Sequence, residues 1–325
     1  MKPGILFLIG GAALSLGTAG WLAWSGKATQ EQITAHERSL MQAAMDRRSF
    51  VPERTSELPE PVQRYLAFVF PGGVPEDGGE IPAWIEFDQA GDFRRPQTES
   101  FAPTTARQVV ATGAPDLVFA ADTPVWGPIR AIAYDAFIDG EMEMEARVLS
   151  AVSVMHETSS PELDRISLRR WLLETPTNPY ALLPGGLVEW EAIDENSARA
   201  VVEAHGHRAS MVAGFDERGA LISMHAEEDG DLTTPYHGSG EHVTRSDYRL
   251  VGEVRVPMAF EVSRMADGDI MPFWSGRITD VRFRRDDEAV RGRDRRNGPR
   301  VEHGRATDGE HRDIGKGRGD APEAG

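Results

Sequence analysis

The spacing of hydrophobic and polar residues divides the chain into regimes with different periods. Gly4 to Trp24, GILFLIGGAALSLGTAGWLAW, carries no charged residue over 21 positions. As a helix rising ~1.5 Å per residue this run would measure ~31 Å, the thickness of a bilayer's hydrocarbon core. Trp21 and Trp24 stand where an interfacial aromatic belt would lie. The run also exceeds the ~7–15-residue core of a signal peptide. It therefore predicts a retained single-pass transmembrane anchor over 1–26, with a cleaved leader as the rival. From Thr29 to Arg48, Ile33, Leu40, Met41, Ala44 and Met45 keep a helical period. This predicts a helical stalk and linker over 27–56. Leu58–Pro71 reads as a short helix, with Pro61 in its first turn and Val62, Tyr65, Leu66 and Val69 on one face.

From Ala83 the period changes to two. The alternation predicts strands at Ile129–Ile138, Met142–Val154, Leu187–Ile193, Ala198–Ala204, Ser210–Phe215, Ala220–Ala226, His242–Leu250, Val254–Val262 and Phe273–Phe283. Asp139-Gly140, Asp216 to Gly219 and Asp267-Gly268 supply turns, and Asp122 to Pro128 reads as a proline- and glycine-rich connection. One interruption is helical. In Ser159 to Pro184, Ser160 can cap a helix that Pro161 opens, Ile166, Leu168, Trp171 and Leu172 give it an apolar face, and Pro176 stops it. No rhythm of strand, long helix, strand is present. The expected class is α+β: a transmembrane helix, then a curved, half-barrel-like antiparallel sheet over 57–283 with a helical insertion.

Four stretches, LPEPVQRYL, WGPIRAIAYDAFIDGE, SPELDRISLRRWLLETPTNPYALLP followed by VEWEAID, and PFWSGRITDV, resemble a bacterial domain-of-unknown-function family of membrane-anchored proteins. The resemblance covers about Ser56 to Phe283, and Pro161–Pro184 is its most specific part. It implies a single domain and supplies no catalytic residue.

Charge narrows the partners. The net charge of −17 argues against nucleic acid, whose phosphates need a basic surface. It also disfavours docking of the body on anionic lipid, leaving the membrane as a partner through Gly4–Trp24 alone. Arg284 to Gly325 holds 11 basic and 10 acidic residues and no aromatic one. Such a segment buries too little apolar surface to offset its ordering entropy, so 284–325 is predicted to be a disordered tail. The chain has no cysteine, which permits either redox compartment. An anchor behind so short an N-terminus is expected to place the domain outside the cytoplasm.

Candidate chemistry is sparse. His205 and His207, two apart on a strand, would share a face and could chelate a metal with His225 or His237. Two exposed histidines explain the pair as well, and no metal is assigned. Glu141, Glu143 and Glu145 alternate with Met142 and Met144, giving a solvated acidic face or an oxygen-rich cation site. Glu162, Asp164, Arg165, Arg169 and Arg170 cluster on the insertion, where capping and i,i+4 pairing compete with acid–base chemistry. No nucleophile elbow surrounds Ser167, and neither a phosphate loop nor a dinucleotide fingerprint occurs. No cofactor is implied. Trp126, Tyr134, Trp171, Tyr180 and Trp274 recur on strands and insertion and are the candidate lining of an apolar site, with Arg277 and Arg130 at its rim. The leading expectation is a membrane-tethered module binding a hydrophobic small molecule or lipid without catalysis. The alternatives are a hydrolase, using carboxylates of the insertion or a metal on the histidine pair, and an envelope scaffold.

Overall fold

The computed structural model describes residues 3–47, 50–76, 81–95, 98–127, 129–228, 241–266 and 268–285. Thirteen antiparallel strands make up its single sheet. β1 (Trp84–Arg94), β2 (Phe101–Ala111), β3 (Leu117–Trp126), β4 (Ile129–Ile138), β5 (Glu141–Val148) and β6 (Val152–Thr158) run outward to one edge. Helix α3 (Pro161–Glu174) carries the chain to the opposite edge. From there β7 (Val188–Ala192), β8 (Ser197–Ala204), β9 (His207–Phe215), β10 (Leu221–His225), β11 (His242–Val251), β12 (Val254–Ala266) and β13 (Asp269–Arg284) return inward. The strand order is β6-β5-β4-β3-β2-β1-β13-β12-β11-β10-β9-β8-β7, so the first strand pairs with the last at the centre.

This sheet must curl. α3 packs against β4 and β5 near one edge and against β8 and β9 near the other. Laid flat, β5 and β9 would be nine strand spacings apart, ~43 Å at ~4.8 Å each. A 14-residue helix is only ~21 Å long. The curl brings the β4–β5 turn against the β8–β9 turn: a Cβ on Gly140 would lie 2.5 Å from Cβ of His205. The Phe137 and His205 rings stand 6.5 Å apart. One end of the half-barrel is therefore shut by touching turns.

The insertion folds as its sequence predicts. The Leu163 amide donates to Ser160 Oγ at 3.3 Å, capping α3. Trp171, Leu172, Tyr180, Leu182 and Leu183 are buried on the concave side, with Val62, Tyr65, Leu66 and Val69 of α2 (Glu60–Val69). Asp139 and Gly140 take φ of 54° and 86°, as a two-residue hairpin turn of the primed type needs. Leu149 and Ser150 also have positive φ, 55° and 54°. They break the expected strand Met142–Val154 into β5 and β6, and neither residue type signals such a turn. β2 and β3 are strands that the alternation does not mark. β3 continues through much of the expected Asp122 to Pro128 connection, and the register with β4 shifts between Pro124 and Trp126, where a proline's missing amide is tolerated.

The N-terminal expectation needs correction. α1 (Pro3–Asp46) is one continuous helix of 44 residues, and among the described residues no helix is long and apolar enough to cross a membrane. The expected transmembrane anchor over 1–26 is therefore not shown among the described residues. Where its side chains are described, α1 is an outer layer of the sheet. Ile33, Leu40, Met41 and Ala44 are buried against Trp84, Val109, Val118 and Ala136 on the convex face. Its polar residues bind the same strands: Thr29 Oγ1 donates to the Ser150 carbonyl at 3.0 Å, and Gln32 Nε2 donates to Tyr134 Oη at 2.6 Å. Arg284 ends β13, paired with Trp84, and the rest of the expected tail from 286 onward lies outside the described residues.

Candidate functional site

On the concave side, away from the touching turns, the sheet is not filled. A cavity of about 350 Å³ lies between the β3–β6 wall and the β12–β13 wall. It exists because successive inward positions carry small side chains. Ala133 on β4 faces Ala121 on β3 and Ala146 on β5, and Ala131 follows along β4. Bulkier residues finish the wall: Phe119, Met144, Met155, Val262, Phe273 and Trp274.

Register orients the cavity. Arg94, Arg95, Val125, Val148 and Val154 line it at the hairpin ends of β1, β3, β5 and β6. Val154 is 55% exposed, so this is the open end. Arg94 and Arg264 lie over the Phe101 and Phe273 rings at 5.8 and 5.6 Å and add positive charge beside the opening. At the inner end stand Asp135 and Arg170, both in the lining and both buried.

The inner end is ionic. Arg170 Nη1 lies 3.5 Å from Asp135 Oδ2, Arg170 Nε donates to Glu174 Oε1 at 3.3 Å, and Arg245 Nη2 donates to Glu174 Oε2 at 2.8 Å. Burial raises the Asp135 carboxyl above its ordinary range, and Arg170 offsets this only in part. Burial also pushes Glu174 up, but Arg245 and Arg170 outweigh it and hold the carboxyl below its usual range. Arg170 additionally lies 5.1 Å from the centre of the Phe119 ring. Thr123, a buried polar residue of the wall level with Ala131, shares a 2.9 Å hydrogen bond with Thr104.

The sequence candidates are dispersed. Trp274 lines the cavity. Tyr134 belongs to the same wall, but its hydroxyl lies on the α1 side, bonded to Gln32 and Glu143. Trp171 is fully buried, its Nε1 donating to the Ala111 carbonyl at 3.2 Å. Tyr180 is core, edge-on to Phe70 and Phe283. Trp126 is 77% exposed at the β3–β4 turn. Arg277 pairs with Asp247, and Arg130 pairs with Asp122 at 2.5 Å.

The metal and acid–base candidates do not come together as one site among the described residues. His205 sits in the β8–β9 turn with φ of 52°, so it and His207 do not share a strand face. His237 lies outside the described residues. No group of three metal-ligating side chains occurs among the described residues. Met142 and Met144 point into the core, and Glu143 and Glu145 bond Tyr134 on the α1 side. Asp164 accepts from the Met142 amide at 3.0 Å and from Ser159 Oγ at 2.7 Å, while Arg169 pairs with Glu241 at 3.4 Å. A second recess, of about 430 Å³, is lined by Phe68, Asp247 and Arg255. Its charges are committed to Arg249, Arg277 and the Phe68 carbonyl.

Sequence reasoning passed over Asp135, Phe119 and the alanines. The signal available was a row of small residues at inward positions of neighbouring strands, interrupted by one aspartate.

A curled antiparallel sheet crossed by a helix and hollow at its open end defines a class of β proteins built around an apolar cavity. Within that class, this chain belongs to the family of unknown function DUF6920, which matches residues 56–283. No functionally curated protein matches the sequence. Among solved structures it is similar to a LolA superfamily protein from Nitrosomonas europaea, at 7% identity and a TM-score of 0.33, over 71% of this chain and 94% of that one. A likeness that loose carries no functional argument.

Proposed function

We propose that this protein binds a hydrophobic, lipid-like ligand in the β3–β6/β12–β13 cavity, as a carrier or receptor. The observation that carries the reading is a cavity of about 350 Å³ that is walled by alanine, methionine, valine and aromatic side chains and open at one end. Its volume falls within the ~300–1,000 Å³ typical of small-molecule sites, which are likewise mostly apolar with a few placed polar groups. Those polar groups, Asp135, Arg170 and Thr123, are held by neighbours, which suits recognition better than chemistry.

The test uses N-phenyl-1-naphthylamine, whose fluorescence rises in apolar sites. Wild-type protein should take up the probe and release it to dodecanoyl lipids. Ala133→Trp, which places a large ring where two strands face each other with methyl groups, should abolish uptake while circular dichroism stays unchanged. Absence of uptake by the wild type, or equal uptake by a folded Ala133→Trp, would overturn the reading.

A further inference from the structure

The geometry at the inner end of the cavity points to the chemistry of its ligand, given the reading of the cavity as a ligand site. Inward positions on β4 run Ala131, Ala133, Asp135, Phe137, each ~6.6 Å beyond the last. Ala131 is near the open end and Phe137 is fully buried core, so Asp135 is the last side chain that a ligand can reach along this strand. Its two oxygens differ. Oδ2 faces Arg170 Nη1 at 3.5 Å, whereas Oδ1 has no hydrogen-bond partner among the described residues, although Asp135 is only 6% exposed. A buried acceptor with nothing to accept from is uncommon and calls for an explanation. Asp135 itself lines the cavity, paired across the wall with Phe119 and Met144.

We infer that the ligand enters with a neutral hydrogen-bond donor, a hydroxyl or an amide N–H, leading its apolar chain, and that Asp135 Oδ1 accepts from it. Neutrality follows from the charge count around the site. Asp135 and Glu174 are balanced by Arg170 and Arg245 within one buried chain of ion pairs. An ammonium would add an uncompensated buried charge beside Arg170, and a carboxylate would face Asp135 directly. A bare hydrocarbon end would leave Oδ1 unsatisfied and desolvated. A neutral donor avoids all three.

The experiment compares two probes of equal chain, 1-dodecanol and dodecyl methyl ether, by displacement of N-phenyl-1-naphthylamine. Wild type should bind the alcohol about tenfold more tightly than the ether, the size of one hydrogen bond to a charged acceptor. Asp135→Leu should bring that ratio to about one with ether binding retained, since the acceptor is gone and the wall stays apolar. Asp135→Asn, which keeps an acceptor oxygen, should preserve the preference, and it decides the matter with the wild type if Asp135→Leu does not fold. Equal affinity of wild type for both probes, or a preference that survives in folded Asp135→Leu, would overturn this inference and leave the cavity reading standing. Displacement by neither probe, with no uptake of the fluorophore, would remove both.

Discussion

Gly91 of β1 and Gly276 of β13 face each other where the first strand meets the last. A Cβ on Gly91 would lie 2.1 Å from the Ser275 carbonyl oxygen, and one on Gly276 would lie 2.4 Å from that of Ala90. The two halves of the sheet join along this pairing, and it lies close to the cavity wall, since two positions along the same pairing stand Phe93 and Trp274.

Gly276→Ala should therefore cost about 1–3 kcal/mol, because the atoms in the way are backbone and cannot rotate aside. Gly72→Ala is the control, with nothing within 4 Å of its added methyl. Urea denaturation should show a lower midpoint for Gly276→Ala and a shift of under about 0.5 kcal/mol for Gly72→Ala. Equal midpoints would show that the strands separate without cost.

α1 is held to the convex face by charge as well as by its apolar stripe. Glu37 is 2% exposed, and Arg107 Nε donates to its Oε1 at 2.7 Å. Arg107→Ala removes a charged hydrogen bond to a buried carboxylate and should destabilise the fold by ~2 kcal/mol. Limited proteolysis should cut within α1 faster than in the wild type, and unchanged protection would remove Arg107 from this role.

Arg245 and Glu174 are a buried pair whose partners cannot be lost singly. Arg245→Met strips Glu174 of one of two guanidiniums and should cost about 3 kcal/mol, whereas adding Glu174→Gln should recover part of the loss. The pH dependence has a definite sign. Glu174's folded carboxyl titrates below its unfolded value, so its contribution is present above the unfolded value and is lost as pH falls through the folded one. Thermal melts across acid pH should show that loss in wild type and not in the double variant.

Asp116 behaves in the opposite sense. Burial raises its carboxyl, with the Asp139 amide and Arg47 offsetting this in part. Its ionised form is thus less stable folded than unfolded, and wild type gains stability as pH falls through the raised value. Asp116→Asn keeps an oxygen for the Asp139 amide, which donates at 3.1 Å. It should melt a few degrees above wild type near neutral pH, with the gap closing toward pH ~4, where both side chains are neutral. A gap independent of pH would assign the effect to something other than this titration.

Local chemistry made much of the fold legible. Ser160 and Pro161 announce the start of α3, Asp139-Gly140 announces its hairpin, and the alternation of Met142 and Met144 with Glu143 and Glu145 separates core from α1 side. Each of these depends on neighbours within a few residues, so the sequence by itself determined them. The stripe Ile33, Leu40, Met41, Ala44 shows that α1 is covered, but not that the cover is β2 to β4, since a helix face reads the same against any apolar partner. The turn at Leu149-Ser150 was hidden because neither residue favours positive φ. The candidate site was the least legible part. Trp126, Trp171 and Tyr180 are aromatic like Trp274 yet end up on the surface or in the core. Asp135 becomes an interior group only because the sheet curls until α3 brings Arg170 over it. Which inward positions remain small, which strands face one another across the hollow and which carboxylate is left with an open oxygen are properties of that curl. They are set by contacts between residues far apart in the chain, and only the tertiary structure decided them.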